Sequence, residues 1–202
     1  MLNQLGKRYP DAEVYSISSD LFAKVSYRET TGGIIIVVKT ESKLPADLKL
    51  GKNPLILVVE GVEKPGNLGA ILRTADAAAI DAVICCNLPG DIYNPNIIRA
   101  SLGTIFTVPL AVSDNDTAMQ WLRDNKITTY CSNLHEATDY FEQDFSGACA
   151  IVVGTEATGV TEAWQTFASA NVKVPMLGKI DSMNVSVAAA IMLYEARRQR
   201  GY

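Results

Sequence analysis

Two continuous apolar runs constrain the fold of this chain more than any other feature. Residues 55–59 read LILVV, and residues 148–153 read ACAIVV. Runs without polar alternation are typical of strands buried on both faces, as in parallel sheets covered by helices. From Pro54 onward, strand-like and helix-like segments alternate about five times, which predicts an α/β domain with a mostly parallel sheet and flanking helices.

The pattern predicts the individual elements of this domain. Strands are expected at 55–59, 82–86, 106–111, 128–132, 148–153 and 172–175. Helices are expected at 67–79, capped by Asn67, at 92–102, 117–124 and 162–168, and from a cap at Ser182 or Asn184 to the C-terminus. In open parallel sheets, ligands bind where loops leave the carboxyl ends of the strands. Those loops are 60–66, 154–160 and 176–183.

The first fifty residues carry weaker signals. Strands are expected at 12–17 and 33–38 and a short helix at 19–27, followed by a polar stretch, 39–53, with the composition of a linker. Two or three such elements make a poor domain by themselves. We therefore expect residues 1–50 to form an N-terminal segment and residues 51–202 to form the main domain.

Composition excludes several function classes. A net charge of −4 and a pI near 5.1 mean that any contact with nucleic acid must come from a local patch. The four cysteines form no CxxC pair and are interpreted as reduced core residues of an intracellular protein. The Rossmann, P-loop and serine-hydrolase motifs are missing, no metal site is predicted, and the one histidine, His135, lies in a polar segment. No apolar run is long enough to span a membrane, so we expect a cytoplasmic protein without a membrane partner.

Three segments near the expected ligand edge carry the chemistry. Residues 65–78 read PGNLGAILRTADAA, which places Arg73 in an otherwise apolar helix. Residues 151–160 read IVVGTEATGV, in which two glycines allow a backbone to approach a ligand on either side of Glu156. The last segment reads VPM at 174–176 and SMNVSVAA at 182–189. The simpler interpretations are an ion pair of Arg73 with Asp76 or Glu60, a plain turn, and an ordinary core helix.

In this order, the three segments resemble the motifs of the SpoU/TrmH family, which are S-adenosylmethionine-dependent RNA ribose 2′-O-methyltransferases of the SPOUT class. The resemblance covers residues 54–200, and Asn94-Pro95 and the run RASLG at 99–103 also fit the family. Two positions depart from the family pattern, since Met183 stands where leucine is usual and Ala79 where glycine is usual. Both are interpreted as changes of side-chain size that the fold tolerates. Residues 1–50 resemble the tail of the small RNA substrate-binding domain that many members carry.

The resemblance implies a fold that periodicity could not show, because true knots are rare. In the family, the C-terminal segment threads through an earlier loop to form a trefoil knot, and the resulting pocket holds S-adenosylmethionine. The alanine-rich last helix is expected to pack against its partner in a homodimer, which would explain its small residues. The active site of the family lies near that interface.

The resemblance also implies roles for individual residues. Catalytic and orienting roles fall on Asn67, Arg73, Glu156, Ser182 and Asn184. The cofactor is expected at Gly154, Thr155, Glu156, Val174, Pro175, Met176, Gly178, Ser182, Met183 and Asn184. RNA contacts are expected from Arg73, Arg99, Lys179, Arg197 and Arg198. A guanidinium with a pKa above about 12 is a poor proton acceptor, so we expect Arg73 to clamp the target nucleotide's phosphate instead.

Other functions were weighed against this one. A non-catalytic RNA-binding protein could keep the knotted fold, although a binder needs no set such as Asn67, Arg73, Ser182 and Asn184. A methyltransferase of the same fold could modify a base nitrogen, but the motifs match the ribose-directed branch. A generic α/β enzyme for a small molecule is more distant. The expected substrate is a structured ribosomal or transfer RNA.

Overall fold

The computed structural model describes residues 7–27, 33–134, 136–156 and 158–201. The chain divides into two units, Met1–Lys39 and Thr40–Tyr202. His135, considered above, and Ala157 of the second motif lie outside the described residues.

The second unit is built on a sheet of seven strands, and every pairing in it is parallel. The strands are β1 (Leu55–Glu60), β2 (Ala82–Cys86), β3 (Leu110–Ser113), β4 (Thr128–Ser132), β5 (Thr138–Asp139), β6 (Cys149–Val153) and β7 (Ala170–Lys173). Their order across the sheet is β3-β2-β1-β6-β4-β7-β5. After β1 the chain moves to one side of the sheet, and after β6 it moves to the other. Such a switch point opens a crevice at the carboxyl ends of the strands, where ligands bind. The predicted α/β parallel sheet is confirmed.

Helices cover both faces of this sheet. They are α2 (Pro65–Ala77), α3 (Pro95–Ala100), α4 (Asn115–Asp124), α5 (Glu162–Phe167) and α6 (Val185–Arg200), and α1 (Ser19–Val25) lies in the first unit. Leu57 and Val59 of β1 point into a core shared with α2, α3 and α6, whereas Ile56 and Val58 point into a core shared with α4 and α5. Side chains alternate across a strand, so two covered faces explain why the run is apolar at every position.

Several predicted boundaries shift. Helix α2 begins at Pro65, where a missing N–H costs nothing, so its cap is Lys64 and not Asn67. The strand expected at 106–111 is replaced by a 3-10 turn at Thr104–Phe106 and then by β3. The helix expected at 92–102 shortens to α3 because Asn94 caps it just before Pro95. The first shift matters for function, since it frees the side chain of Asn67 from capping.

The strands predicted at 12–17 and 33–38 are wrong, because these residues pair with no described strand. Val14 is 73% exposed and Val37 is 92% exposed. β propensity yields a strand only where a partner completes the ladder. Helix α1 forms within the predicted range 19–27, but its cap is Ser18 and not Ser19 or Asp20, which the residue types had indicated. In the stretch expected to be a linker, the Val112 N–H donates to the Lys43 carbonyl at 2.8 Å.

Helix α6 closes the chain and is held at both ends. Asn184 caps it, as predicted, and its Oδ1 accepts the Ser186 N–H at 2.9 Å. Ala189, Met192 and Ala196 are fully buried, so one face of α6 packs on the core. At the other end, Arg200 donates to the carbonyls of residues 53 and 145 at 2.9 and 2.8 Å. No described helix is long and apolar enough to cross a membrane.

The four cysteines are all free and buried, which confirms their interpretation as core residues. Burial raises the pKa of Cys85 and of Cys131 to about 12, so neither thiol ionises at neutral pH. Among the described residues, no group of three or more His, Cys, Asp or Glu side chains could hold a metal ion.

Ala79 occupies a backbone position that favours glycine. The Ile80 N–H donates to the Ala75 carbonyl at 3.1 Å and the Ala79 N–H to the Asp76 carbonyl at 2.9 Å, the two bonds of a Schellman motif that ends α2. Ala79 is its left-handed residue, with φ at 47°. The interpretation of this departure as a matter of size is therefore corrected, because the backbone conformation is what favours glycine there.

We expect Ala79→Gly to raise the free energy of unfolding by about 0.5–1 kcal/mol, because glycine adopts the left-handed region without steric cost. Urea denaturation measures the change. The matched control is Ala70→Gly within the same helix, which we expect to lower stability by about 1 kcal/mol. Equal losses in both variants would contradict this account of Ala79.

Candidate active site

Three side chains from distant segments meet at the carboxyl edge of the sheet. Asn67 comes from the first turn of α2, Glu156 from the loop after β6, and Asn184 from the cap of α6. Glu156 Oε1 accepts from Asn67 Nδ2 at 2.9 Å and from Asn184 Nδ2 at 2.7 Å. Asn184 Nδ2 also donates to Asn67 Oδ1 at 3.0 Å. The structure thus brings together one predicted catalytic residue from each of the three sequence segments.

The cap of α6 determines which end of Asn184 faces this cluster. Its Oδ1 is occupied by the backbone N–H of Ser186 and, at 2.6 Å, by the Ser186 hydroxyl. Only the Nδ2 group is left to point at Glu156 and Asn67. One side chain therefore both starts the last helix and donates to the candidate site.

Lys64 is a fourth member of the cluster that the sequence analysis missed. Its Nζ forms an ion pair with Glu156 Oε2. Hydrogen bonds from Lys64 and then from Asn67 hold the pKa of Glu156 below its ordinary value of 4.5. The one feature of the sequence that could have indicated this role of Lys64 is its position directly before Pro65, where the first segment begins.

The lowered pKa determines what Glu156 can do. A carboxylate whose pKa falls on folding stabilises the folded state above its ordinary pKa, and that contribution is lost as the pH drops through the lowered value. Glu156 therefore stays ionised throughout the neutral range. A carboxylate with a lowered pKa is a weaker base, so the chemistry of Glu156 here is to accept hydrogen bonds and to hold its neighbours in place.

The loop that carries Glu156 is a tight hairpin and not a plain turn. Thr155 and Gly159 exchange two backbone hydrogen bonds of 3.0 Å each. A Cβ on Gly154 would lie 2.2 Å from the Gly159 carbonyl oxygen, and Gly159 has φ at 68°. One glycine is required by close backbone approach and the other by conformation. We call residues 154–160 the glycine hairpin.

The segment between β7 and α6 has no regular structure. Residues 176–183 make no backbone hydrogen bond to another described residue. Val174, Pro175, Met176 and Met183 are partly buried, whereas Gly178 is exposed with open space around it. Unpaired backbone N–H and C=O groups need partners when they are covered. This segment therefore offers polar backbone groups to a ligand bound beside the glycine hairpin.

Two predicted catalytic residues lie outside the cluster. Ser182 is exposed, and its hydroxyl donates to Asp181 at 3.4 Å. Arg73 is exposed and forms no hydrogen bond or ion pair with any described residue. The alternative that Arg73 serves in an ion pair with Asp76 or Glu60 is therefore wrong. Arg73 lies about 9 Å along α2 from Asn67 and on a different side of the helix.

Neighbouring contacts locate Arg73 on its helix. Gly69 packs against Ala100 of α3, where an added Cβ would come within 2.3 Å. Asp76 accepts from Thr107 Oγ1, in the turn after α3, at 3.2 Å. Positions 69, 73 and 76 share one side of a helix, so Arg73 lies on the side of α2 that faces α3.

The remaining basic residues fall into two groups. Arg99 and Lys179 are exposed and form no hydrogen bond or ion pair within the described part of the chain. Arg197 instead donates to the carbonyls of Ala78 and Ala79 at the end of α2, and Arg198 pairs with Glu195 at 2.7 Å. Because a helix rises 1.5 Å per residue, Arg197 lies about 20 Å from the N-terminal cap of α6. The structure does not bring Arg197 and Arg198 to the cluster.

A cavity of about 190 Å³ adjoins the cluster. Lys64, Pro65 and Leu68 form one wall, and residues 88–91 with Asn94 form the other. It opens at the carboxyl ends of β1 and β2. Reactants held by the cluster would therefore have space on this side of it.

Comparison with known proteins agrees with this geometry. Residues 54–194 match the model of the SpoU rRNA Methylase family. The chain is 33% identical over 185 residues to the 23S rRNA (guanosine(2553)-2′-O)-methyltransferase RlmP of Bacillus subtilis, covering 92% of this chain and 73% of that protein. It is 29% identical over 199 residues to the 23S rRNA (uridine(2479)-2′-O)-methyltransferase of Streptomyces viridochromogenes, covering 93% and 68%.

A solved structure shows the same fold with a cofactor. The SpoU methyltransferase AviRb from Streptomyces viridochromogenes, in complex with AdoMet, superposes with a TM-score of 0.75 at 29% identity, covering 80% of this chain and 66% of that one. The chain spans between 59% and 73% of the length of the first curated relatives that it matches.

Proposed function

Because the chain belongs to the SpoU rRNA Methylase family, we propose that it transfers a methyl group from S-adenosylmethionine to a ribose 2′-hydroxyl of a structured RNA. The observation that carries the proposal is the junction of Asn67, Glu156 and Asn184 at the switch point of the sheet. Three segments far apart in sequence converge there. Their junction gives one place where the methyl donor and the RNA could both be held.

The glycine hairpin and the segment 174–184 are proposed to hold the cofactor. When bound, S-adenosylmethionine supplies an electrophilic methyl carbon attached to a positively charged sulfur. The free backbone groups of residues 176–183 fit a ligand rich in hydrogen-bonding nitrogen and oxygen. These two stretches contain most of the residues predicted to bind the cofactor, which are Gly154, Thr155, Val174, Pro175, Met176, Gly178 and Met183. Ser182 belongs to the same segment, although it does not touch the cluster.

For methyl transfer, the main contribution of the protein is to hold the reacting groups in the right geometry. Asn67 and Asn184 have their amide groups held by Glu156, and they are proposed to orient the ribose. Arg73, whose side chain pairs with no residue that the structure describes, is proposed to clamp the phosphate of the target nucleotide through two parallel N–H bonds. The guanidinium cannot accept the proton of the 2′-hydroxyl, so the phosphate held by Arg73 is proposed to assist the release of that proton to solvent as the methyl group is transferred.

A homodimer is proposed because one face of α6 has no cover. Val187 is 48% exposed and Tyr194, two turns later, is 44% exposed, with Ile191 partly exposed between them. Ala189 and Ala196 are buried against the protein's own core, so their close packing is internal. Ala190 is partly exposed and lies one turn from Val187, so it belongs to the exposed face and would meet the partner together with the larger side chains.

RNA binding is proposed to use Arg73, Arg99 and Lys179, whose side chains are exposed and pair with none of the described residues. Each phosphate that they neutralise should lower the logarithm of the affinity by about one for each tenfold rise in salt. Residues 1–50 are proposed to be the tail of a substrate-binding domain, ahead of a methyltransferase domain at 51–202. We propose ribosomal or transfer RNA as the substrate and the cytoplasm as the location of the reaction.

The first test is a calorimetric titration of S-adenosylhomocysteine into the purified protein, with its mass in solution recorded alongside. We expect one site per chain and the mass of a dimer. A folded dimer that binds none would favour a non-catalytic RNA-binding protein. Nuclease digestion of methylated RNA, followed by mass spectrometry, then separates ribose methylation from base methylation.

We expect Arg73→Lys to lower the rate of methyl transfer by roughly 10- to 100-fold, because an ammonium cannot make a bidentate phosphate contact. Affinity for S-adenosylhomocysteine should stay unchanged, since Arg73 does not touch the cluster. The matched control is Arg123→Lys on α4, which packs on the opposite face of the sheet. Activity near that of the unmodified protein would remove the clamp from the mechanism.

A further inference from the structure

Glu60, the last residue of β1, is a buried carboxylate that the proposed reaction does not use. It is 3% exposed, and it forms no ion pair with any described Lys or Arg. Its charge is instead met by three hydrogen-bond donors. Thr161 donates its backbone N–H to Oε2 and its hydroxyl to Oε1, both at 2.8 Å, and Asn115 Nδ2 also donates to Oε1.

Asn115 is itself held in one orientation. Its Oδ1 accepts the indole N–H of Trp164 at 3.0 Å, and Trp164 is fully buried in α5. An amide with its oxygen toward an indole N–H must present its NH2 group on the other side. The donors therefore run in one direction, from Trp164 to Asn115 to Glu60, and Thr161 closes the set.

This network ends where the glycine hairpin ends. The hairpin leaves the sheet after Val153, which pairs with Val59 directly before Glu60, and it returns at Thr161. Near the tip of the hairpin, Glu156 reaches Lys64 and Asn67 on the opposite side. Glu60 thus binds Thr161, at the end of the glycine hairpin, while Glu156 in the same hairpin forms the contacts of the candidate site.

We propose that Glu60 is a positioning residue that holds the glycine hairpin in the shape that binds the cofactor. The inference rests on the proposed function, because it assigns the hairpin to the cofactor. Glu60 acts only through Thr161, Asn115 and the hairpin backbone. Trp164, at the far end of the network, reports on the state of the hairpin.

The chemistry of the network explains why a carboxylate is needed. Glutamine has almost the same shape, but it offers one oxygen and one NH2 group. With its oxygen toward the Thr161 N–H, the NH2 group meets the NH2 group of Asn115. In the other orientation, the NH2 group meets the Thr161 N–H. Each orientation sets a donor against a donor, at a buried site where an unmade bond is costly.

Exchanging the carboxylate of Glu60 and the amide of Asn115 should restore the hydrogen-bond network. In Glu60→Gln with Asn115→Asp, the glutamine NH2 group donates to the new carboxylate, which still accepts the Trp164 N–H. The glutamine oxygen accepts the Thr161 N–H, and the Thr161 hydroxyl rotates to accept instead of donating. Asn115→Asp alone places two carboxylates against each other. Only the double variant has a matched set, and its net charge equals that of the unmodified protein.

The test measures the affinity for S-adenosylhomocysteine in the four proteins. We expect each single variant to bind about tenfold more weakly or worse, and the double variant to recover most of the loss. Thermal unfolding is recorded with each titration, at a temperature where every variant stays folded. The indole N–H resonance of Trp164 should shift on binding in the unmodified protein and in the double variant.

The outcomes separate this inference from the proposed function. An unmodified protein that does not bind the ligand overturns the proposed function. Single variants that unfold at lower temperature but bind with normal affinity overturn the inference, because Glu60 would then be only structural. A double variant no better than the two single variants also overturns it, since the donor and acceptor pattern would not matter.

Discussion

Asn184→Asp is expected to lose methyl transfer by about 100-fold or more while its last helix stays intact. Aspartate keeps the oxygen that accepts the Ser186 N–H, so the cap of α6 is preserved. It loses the Nδ2 group that donates to Glu156 and Asn67, and it sets a second carboxylate beside Glu156. The lost donors and the like charges both act against the arrangement of the cluster, so the expected loss is in the rate of methyl transfer and not in the helix.

The measurement is single-turnover methylation with circular dichroism as the check on folding. Asn184→Ser is the matched variant, because serine also caps a helix but brings neither the donors nor a charge. We expect it to lose less activity than the aspartate variant. If both variants kept normal rates, the cluster would have no part in catalysis. If both lost helix, capping alone would explain the result.

Gly154→Ala is expected to destroy cofactor binding and to lower the free energy of unfolding by about 2–4 kcal/mol. The added Cβ would lie 2.2 Å from the Gly159 carbonyl oxygen and 2.5 Å from the Val160 nitrogen. These are backbone atoms, so they can move only by breaking the two hydrogen bonds between Thr155 and Gly159. Glu156 lies between Thr155 and Gly159 in the sequence, so the loss of these bonds would move it out of the cluster.

Urea denaturation and titration with S-adenosylhomocysteine measure the two effects separately. The control is Gly51→Ala, where an added Cβ meets nothing within 4 Å and φ is not in the left-handed region. We expect the control to change neither stability nor affinity. A Gly154→Ala protein with normal affinity would show that the hairpin does not shape the cofactor site.

The sequence predicted the second unit well because its signals are local. Apolar runs such as 55–59 and 82–86 mark strands covered on both faces, and those strands form where expected. Asn184 was predicted as a helix cap from its residue type and from the apolar periodicity after it. The strands predicted before Thr40 failed because a strand also requires a partner, which a local pattern cannot supply.

Backbone conformation and neighbouring groups were harder to predict than residue identity. Ala79 looked like a tolerated change of size, yet its left-handed φ is what makes glycine the better residue there. Arg197 looked like an RNA contact at the basic end of a helix, yet it caps the carbonyls that end α2. Neither contact could be predicted from the local sequence, because one depends on a turn and the other joins residues more than a hundred positions apart.

The sequence by itself determined the fold class, the family resemblance and the identity of Asn67, Glu156 and Asn184, because all three stand in ordered motifs of recognisable residue type. Only the tertiary structure decided that Lys64 pairs with Glu156, that Glu60 accepts from Thr161 at the end of the glycine hairpin and that Arg73 pairs with none of the described residues. The physical reason is range. Periodicity and capping act over a few residues, whereas a hydrogen bond between Asn184 and Asn67 spans 117 positions and exists only once the sheet has brought their loops together.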